Sequence, residues 1–350
     1  MTVSNLQESQ PEGSGQARVL FTRLRSLGDT VLMTPMLAVM KRVAGWQVGV
    51  VIEQPYEEIL QDNPHVDSVF VIENHGNRWM ARLRTIRKIR AFRPTLAVDL
   101  HGGTSSALIT ALSGAPKRAG YLQSRHSYLY NVKVPESRKI WGRENVHTVE
   151  HQLSILKHLG FPVEPIPPPE IPIHSQDLEW IKDLLAGQGL GEGFILIHPA
   201  AAFDTKQWEA DKFASLATRL AEAGQEVVIT AGPGEEPVLE RIRERCASAI
   251  RLIDPLPLGR FSALTSLCGL YVGNDTGSTH IVAALGKKIV VIFGSSDFKV
   301  WYPWNAEHQL IRSDLPCMPC AGYFCLQFDE PRCIRSIPVE PVFEAVQSLL

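Results

Sequence analysis

Short apolar runs alternate with amphipathic stretches along the chain from Arg18 onward. In the first half, the runs that have the length and the Val, Ile and Leu content of β-strands are 18–24, 48–53, 67–73 and 95–101. Between them, apolar residues recur at helical spacing, as they do over 30–43. Strands that alternate with helices in this way predict an α/β fold built on a parallel sheet.

The second half repeats this pattern after a proline-rich stretch. The sequence GFPVEPIPPPEIPI at 160–173 contains six prolines, which exclude a helix interior or a central strand and indicate a linker. Beyond it, strands are predicted at 194–199, 226–232, 269–274 and 287–294, and helices at 208–224 and 235–247. The chain therefore reads as two similar α/β domains, whose ligands bind where strand ends lead into helices.

These boundaries define the expected domain organisation. It comprises a flexible tail at 1–17, a first Rossmann-like domain at 18–160, the linker at 161–173, a second Rossmann-like domain at 174–335 and a C-terminal helix at 336–350. The tail is polar and lacks the basic start and apolar centre of a secretory signal. No apolar run approaches the roughly 18 residues of a membrane-spanning helix. Because the sequence shows no export signal, we expect a cytoplasmic protein with reduced cysteines.

Composition narrows the possible partners. The chain has 350 residues, 45% of them hydrophobic, which is enough for a sizeable core in each domain. Its formal net charge is −2, and nucleic-acid-binding proteins usually carry a basic footprint, so no nucleic-acid partner is expected.

The turn after the first strand, in RLRSLGDTVLMTP, carries Asp29. We expect Gly28 to let the chain turn before a helix begins. A lone Asp at this place is typically a helix cap. The same turn also holds Arg23, Arg25 and Ser26, so that Asp29 could instead accept a proton from an attacking hydroxyl.

Two turns of the second half carry candidate phosphate and ribose ligands. In HPAAAFDTKQW, either Asp204 or Thr205 could be only a helix cap, but Lys206 beside a helix N-terminus suits a phosphate. In TAGPGEE, Glu235 or Glu236 could accept hydrogen bonds from ribose hydroxyls, although the helix dipole favours an acidic residue there in any case.

The densest set of polar residues is NDTGSTH, at the start of a predicted helix. Thr276, Gly277 and Ser278 place amide groups where a diphosphate could bind, and Asp275 could hold the loop or contact sugar hydroxyls. His280 could donate to a phosphate or be a packed core histidine. Because such turns occur in both halves, we expect the site in a cleft between two facing domains. A dinucleotide fingerprint and a P-loop are both missing from the sequence.

The segments SLGDTVLMTP, HPAAAFDTKQWEADKFASLATRL and NDTGSTHIVAALGKKIVVIFGSSD together resemble glycosyltransferase family nine, the heptosyltransferases that build the inner core of lipopolysaccharide. The resemblance runs from Arg18 to the C-terminus with the motifs in the family's order. It implies the GT-B fold, an ADP-heptose donor bound by the C-terminal half, and an inverting transfer that requires no metal cofactor.

The resemblance also assigns roles to residues. It places Asp29 at the catalytic base and Lys206 at the diphosphate, with Asp275, Thr276, Gly277 and His280 in the donor loop and Glu235 at the ribose. From the residues themselves we also expect Thr205 and Ser278 to bind the donor, and Arg23, Arg25 and Ser26 to bind the acceptor. Thr279 departs from the family, which often has methionine there, so the fine shape of the donor pocket is open. Two alternative hypotheses are a transferase with another nucleotide-sugar donor, and a GT-B protein that binds nucleotide or glycan without turnover.

Two further segments suggest partners. The stretch 78–94 has seven basic residues and no acidic one, together with a predicted apolar helical face at Trp79, Leu83, Ile86, Ile89 and Phe92. It could simply cover the sheet, or it could also attract an anionic membrane or a phosphorylated glycolipid acceptor. The cysteines that could hold a metal, or remain free thiols, are Cys317, Cys320, Cys325 and Cys333.

Overall fold

The computed structural model describes residues 16–42, 45–73, 78–246, 250–320 and 322–350, except for the side chains of Arg78 and Trp79. Most of the predicted tail at 1–17, and the Trp79 side chain of the predicted apolar face, thus lie outside the described residues. The chain divides into two compact units, the first ending at Pro172 and the second beginning at Ile173.

The first unit contains a six-stranded parallel sheet in the order β3-β2-β1-β4-β5-β6. Its strands are β1 (Arg18–Thr22), β2 (Gln47–Glu53), β3 (Ser68–Ile72), β4 (Leu96–Asp99), β5 (Lys117–Tyr121) and β6 (Val132–Val134). Its described α-helices are α1 (Leu27–Leu32), α2 (Thr34–Arg42), α3 (Arg78–Phe92), α4 (Thr104–Leu112), α5 (Ser137–Trp141) and α6 (Thr148–His158). Helices cover both faces of such a sheet, which explains why its central strands are almost continuously apolar.

The second unit has a sheet of the same kind, in the order β12-β11-β10-β7-β8-β9. Its strands are β7 (Ile195–His198), β8 (Val227–Ile229), β9 (Arg251–Leu252), β10 (Leu270–Asn274), β11 (Lys288–Phe293) and β12 (His308–Arg312). Its described α-helices are α7 (Ser175–Gly187), α8 (Ala210–Glu222), α9 (Glu236–Arg243), α10 (Leu258–Leu267), α11 (Gly277–Ala284), α12 (Phe298–Trp301), α13 (Arg332–Arg335) and α14 (Val339–Leu349). Two doubly wound parallel sheets confirm the predicted α/β class.

The helix predicted over 30–43 is in fact two helices, α1 and α2, separated at Met33. Pro35 explains the break, because a continuous helix would need its missing N–H to bond the carbonyl of Val31. The hydroxyl of Thr34 donates to that carbonyl instead, at 2.8 Å. The expectation that Gly28 forms the turn is wrong: Gly28 lies inside α1, and its φ is not positive.

Near its C-terminal end, the proline-rich segment is hydrogen-bonded to the first unit. The backbone N–H of Glu170 donates to the hydroxyl of Thr34 at 2.9 Å, and the side-chain amide of Asn63 donates to the Glu170 carbonyl at 2.9 Å. His65 lies 3.0 Å from the Glu170 carboxylate. These contacts hold the prolines against the domain that precedes them.

Helix α3 buries a narrower face than its sequence predicts. Ala81, Thr85 and Ile89, spaced by four residues, are buried, and the hydroxyl of Thr85 donates to the Ala81 carbonyl. Leu83, predicted on the apolar face, is 59% exposed, because it projects away from that row. Among the described residues, no helix combines the length and apolarity needed to cross a bilayer.

Gly294, directly after β11, lies against the backbone of the short 3₁₀ helix Asp204–Lys206. We predict that Gly294→Ala destabilises the protein by about 1–3 kcal/mol, because the new Cβ would overlap the Thr205 carbonyl oxygen far inside van der Waals contact. Heat unfolding followed by circular dichroism measures the change. Gly187→Ala is the matched control, since nothing lies within 4 Å of a Cβ there; equal stability of the two variants would contradict the prediction.

Candidate functional site

Adjacent strand ends carry the polar residues of the first unit. Strands β1 and β4 are paired so that Thr22 lies beside Asp99. Arg23 follows β1 directly, and one of its Nη atoms donates to the Leu100 carbonyl at 2.6 Å. Because β1 is a central strand flanked by β2 and β4, its carboxyl end is the expected ligand edge of this sheet.

Asp29, in the first turn of α1, is held by side chains. The guanidinium of Arg23 forms an ion pair with its carboxylate, and the hydroxyl of Ser26 donates to the same Oδ2 at 2.9 Å. The Asp29 carbonyl accepts from the Gln152 amide at 3.2 Å. Ser26 is the N-cap residue of α1, but its side chain makes no capping bond. The Asp29 carboxylate is thus oriented by a cation and a hydroxyl while its side chain is 15% exposed.

Arg25 is not part of this group. Its side chain is 64% exposed and lies 3.4 Å from the carboxylate of Glu53 at the end of β2. Of the three residues predicted towards the acceptor, Arg23 and Ser26 therefore contact Asp29, whereas Arg25 contacts a neighbouring strand end.

Two histidines near Arg23 were missed by the sequence reasoning. Burial, and secondly the positive charge of Arg23, lower the pKa of His101 and of His151, and Asp29 partly opposes this for His151. The His151 ring stacks on Tyr121 with centroids 4.4 Å apart, and its Nδ1 lies 2.9 Å from the Ser137 hydroxyl. His101 was visible in the sequence as a polar residue just after β4, but nothing local distinguishes His151 inside α6.

In the second unit, Lys206 and Asp275 form an ion pair. The Lys206 ammonium donates to Asp275 Oδ2 at 2.8 Å; the Asp275 side chain is 3% exposed and that of Lys206 is 25% exposed. Asp275 follows β10 directly, and its backbone N–H donates to the Ile292 carbonyl of β11. Two candidates that lie 69 residues apart in sequence are thus brought into contact.

The residues after Asp275 form the start of α11. Thr276 is the N-cap residue, and its side chain makes no capping bond to the backbone. Its hydroxyl lies 2.6 Å from that of Ser278, which also accepts from the Tyr271 hydroxyl at 3.1 Å. The amides of the first helical turn have no acceptor within the helix, and the helix dipole adds positive potential there. Gly277 is the first residue of the helix and has no side chain of its own beside its amide.

Thr279 and His280 point into the protein. Thr279 is 1% exposed, and its hydroxyl donates to the Asn274 carbonyl at 2.7 Å. The residue that departs from the family pattern therefore ties α11 to the end of β10. His280 is 3% exposed, with its ring centroid 6.2 Å from that of Trp301.

Thr205 is buried, and its hydroxyl is engaged within the protein. It donates to the Gly322 carbonyl at 2.9 Å and accepts from Ser295 at 2.9 Å. Lys206, the next residue, lines a cavity of about 350 Å³ together with Phe203, Ser295, Ser296, Trp301 and Tyr323. Thr205 thus supports the wall of this cavity through its hydrogen bonds.

The two glutamates after β8 occupy different environments. Glu235 accepts from the Gly232 N–H at 2.7 Å and lies 3.4 Å from His198 Nε2, at the end of β7. Burial lowers the pKa of His198, and the Glu235 charge opposes that shift. Glu236 is hydrogen-bonded to backbone amides, which lower its pKa. Of the two, Glu235 is the one that contacts a residue from another strand end.

Metal ligands are not preassembled. Within the described ranges, no three His, Cys, Asp or Glu side chains have an arrangement that could hold a metal ion. The described cysteines are free thiols, including Cys317, Cys320, Cys325 and Cys333.

Comparisons of the sequence with a family model and with known proteins point to the same family. Residues 82–327 match the family model of glycosyltransferase family 9 (heptosyltransferase). The chain is 24% identical to lipopolysaccharide heptosyltransferase 3 of Escherichia coli K12 over 341 residues, covering 93% of this chain and 96% of that protein.

Solved structures share the fold. A family 9 glycosyltransferase from Veillonella parvula superposes with a TM-score of 0.83 at 20% identity, covering 95% of this chain and 97% of that one. E. coli ADP-heptose LPS heptosyltransferase II superposes with a TM-score of 0.78 at 18% identity, covering 95% and 98%. The predicted GT-B type of fold is thereby confirmed.

The position of His151 near Arg23 and Asp29 makes a titration test possible. We predict that Arg23→Gln raises the pKa of His151, because the variant removes a cation that disfavours the imidazolium and leaves the Asp29 anion. Histidine-labelled NMR over a pH series measures the midpoint, which should lie below 6.5 in the wild type and shift upward in the variant.

Arg25→Gln serves as the control, because Arg25 pairs with Glu53 and should leave the pKa of His151 unchanged. An unaltered His151 midpoint in Arg23→Gln would show that the two residues do not interact.

Proposed function

Because the chain belongs to glycosyltransferase family 9, the heptosyltransferase family, we propose that it transfers heptose from ADP-heptose to a lipopolysaccharide inner-core acceptor. The transfer inverts the anomeric configuration and requires no metal. The observation that carries this proposal is the ion pair of Lys206 with buried Asp275 beside the N-terminus of α11.

Donor binding follows from the charges of the second unit. A nucleoside diphosphate carries its negative charge on the two phosphates, and the Lys206 ammonium with the first-turn amides of α11 offers a complementary positive site. The donor set comprises Thr205, Lys206, Glu235, Asp275, Thr276, Gly277, Ser278 and His280. Within it, Lys206 and the α11 amides contact phosphate, Glu235 accepts from ribose hydroxyls, and Thr205 supports the wall. The similarity to E. coli ADP-heptose LPS heptosyltransferase II supports the choice of nucleotide.

The same groups take the place of a metal ion in the proposed transfer. As the bond between sugar and diphosphate breaks, negative charge grows on the leaving group. Lys206 and the oriented amides stabilise that charge, as a bound cation would in a metal-dependent transferase. No further cofactor takes part in the transfer.

Asp29 acts as the general base. One carboxylate oxygen, Oδ2, accepts from both Arg23 and Ser26, which fixes the direction of the carboxylate and leaves Oδ1 to accept the proton. The attacking hydroxyl of the acceptor gives its proton to Asp29 while its oxygen attacks the anomeric carbon. Attack from the face opposite to the leaving ADP inverts the configuration. Arg23, Arg25 and Ser26 contact the acceptor around this position.

The acceptor is a glycolipid, and α3 offers a surface for its membrane. Met80, Leu83, Arg84, Arg87 and Lys88 are exposed and recur every three or four residues, so they form one stripe. The stripe combines apolar and basic side chains without an acidic one, which suits the surface of an anionic membrane. We place the enzyme at the cytoplasmic face of the inner membrane, in peripheral contact and without a nucleic-acid partner.

Removal of the base tests the reaction. We predict that Asp29→Asn lowers turnover about 10²–10⁴-fold, because an amide cannot accept the hydroxyl proton. Transfer of labelled heptose from ADP-heptose to a heptose-deficient lipopolysaccharide measures turnover, and calorimetry with ADP should give unchanged affinity.

Asp67→Asn is the matched control, since Asp67 also pairs with a cation in the first unit, Lys41, but lies outside this turn. Turnover of Asp29→Asn within a factor of a few of the wild type would rule out Asp29 as the base. Wild-type protein that binds ADP but transfers no labelled heptose would refute the proposed donor.

Removal of the cation tests donor binding. We predict that Lys206→Ala weakens ADP binding roughly ten- to a hundredfold, since a hydrogen bond to a charged group contributes about 1.5–3 kcal/mol. Calorimetry with ADP measures the loss, and UDP and GDP serve as competing nucleotides that should bind more weakly than ADP to the wild type.

Lys212→Ala is the control, because Lys212 is also ion-paired in the second unit, with Glu209 at 2.6 Å. The unfolding temperature without ADP should be recorded for both variants, so that a folding defect is recognised. Unchanged ADP affinity in a folded Lys206→Ala protein would remove Lys206 from the site.

A further inference from the structure

The cavity beside Lys206 is lined mainly by residues that take no part in the proposed contacts to the nucleotide. Its volume is about 350 Å³. The lining includes three aromatic side chains, Phe203, Trp301 and Tyr323, and one carboxylate, Asp297. Of the proposed donor set, Lys206 alone belongs to this lining. The cavity therefore adjoins the phosphate-binding ammonium and has a chemistry of its own.

Two of the aromatic rings lie together in water. The ring centroids of Phe203 and Tyr323 are 4.5 Å apart, and their planes are inclined by 52°. Phe203 is 37% exposed and Tyr323 is 61% exposed, so their mutual contact leaves much of both rings uncovered. Neighbouring aromatic rings that remain exposed on the wall of a cavity are typical of a binding site.

Hydrogen bonds fix the backbone that carries Tyr323. The N–H of Cys320 donates to the Ser295 carbonyl at 2.9 Å, and the Gly322 carbonyl accepts from the Thr205 hydroxyl at 2.9 Å. Both bonds connect the segment that precedes Tyr323 to the ends of other elements of the second unit. The ring is thus attached to a backbone that is already held beside Phe203.

The carboxylate of Asp297 favours hydroxyl groups over phosphates in this cavity. Its Oδ1 accepts from the Lys299 N–H at 3.0 Å, which orients the carboxylate and leaves Oδ2 for a ligand. An ionised carboxylate only accepts hydrogen bonds and repels anions. Asp297 therefore suits a hydroxyl-bearing, uncharged group, and Ser296 beside it supplies a further hydroxyl.

The order of the strands places this cavity beyond the phosphate-binding groups, on the side away from the ribose contact. Strands β8, β7, β10 and β11 are neighbours in that order. Glu235 follows β8, Lys206 follows β7, Asp275 follows β10 and Asp297 follows β11. In a nucleotide sugar the diphosphate joins the ribose to the sugar. A donor with its ribose at Glu235 and its diphosphate at Lys206 would therefore extend its sugar towards the end of β11.

The size and the walls of the cavity suit a single sugar ring. A volume of about 350 Å³ is at the small end of ligand pockets, too small for a whole nucleotide sugar. A sugar ring has C–H groups on its faces and hydroxyls around its edge. The C–H groups carry partial positive charge and pack against the negative face of an aromatic ring, while the hydroxyls can donate to Asp297.

We infer that Phe203, Trp301 and Tyr323, together with Ser296 and Asp297, form the subsite for the transferred sugar and determine which nucleotide sugar binds. The inference rests on the proposed donor, ADP-heptose, and assigns the residues that contact its sugar. Lys206 marks the boundary between this subsite and the diphosphate.

Tyr323→Ala tests the subsite. We expect ADP-heptose affinity to fall roughly three- to tenfold, the contribution of one aromatic contact, and ADP affinity to stay unchanged because ADP lacks the sugar. Calorimetry with each ligand in the absence of acceptor measures both affinities. Tyr323→Phe retains the ring and should keep most of the ADP-heptose affinity, and Phe203→Leu should show the same selective loss as Tyr323→Ala.

Phe324→Ala is the matched control. Phe324 is the next residue, is 75% exposed and lines a different cavity, so its removal should leave both affinities unchanged. The unfolding temperature of each variant without ligand shows whether it is folded.

Two results would overturn the inference while leaving the proposed donor intact. One is an equal loss of ADP and ADP-heptose affinity in Tyr323→Ala, which would mean that the nucleotide occupies this cavity. The other is unchanged ADP-heptose affinity in both Tyr323→Ala and Phe203→Leu, which would mean that the rings do not contact the donor. Wild-type protein that binds neither ligand would contradict the proposed function and the subsite together.

Discussion

The ion pair between Lys206 and Asp275 is the contact on which the second unit's site depends. A carboxylate that is 3% exposed has lost most of its water, and removing its partner would leave a buried charge at high energetic cost. Asp275 is itself fixed by the bond from its backbone N–H to Ile292. The lysine ammonium is therefore held in one place before any ligand arrives, and preorganised charge of this kind stabilises an anion without further reorganisation.

In the first unit the roles of the charges are reversed: a fixed cation orients a carboxylate. There the cation Arg23 is the fixed partner, since it also donates to the Leu100 carbonyl, and the carboxylate of Asp29 is the group it orients. In each unit one member of the ion pair, Arg23 or Asp275, directly follows a central parallel strand, β1 or β10. One unit thus contains an oriented carboxylate and the other an oriented ammonium, which are the two charges that the proposed reaction uses.

The sequence predicts this architecture well wherever a single element decides it. Apolar runs such as 269–274 predict strands to within a residue because a strand covered on both faces must be apolar throughout. Features that depend on one local contact are harder to predict from the apolar pattern. The break between α1 and α2 depends on one missing N–H at Pro35, and the exposure of Leu83 depends on which of two neighbouring rows of α3 meets the sheet.

The site residues also divide into those that the sequence predicts and those that only tertiary contacts reveal. Asp29, Lys206 and Asp275 are predictable because they follow strand ends, but the pairing of Lys206 with Asp275 is a tertiary contact that no local pattern contains. The hydroxyl of Thr205 reads as a ligand in the sequence, yet it is engaged with Gly322 and Ser295. His151 has no signal at all, because only the approach of α6 to the first strand end gives it the neighbours that lower its pKa.

The hydrogen bonds of Thr205 also link the two parts of the second unit that carry different chemistry. On one side is Lys206, whose ammonium pairs with Asp275; on the other is the cysteine-rich segment at 317–333, reached through Gly322. Because Thr205 directly precedes Lys206, these bonds connect the position of the ammonium to a segment whose large apolar side chains lie in water, and Cys320 of that segment lines the same cavity as Lys206.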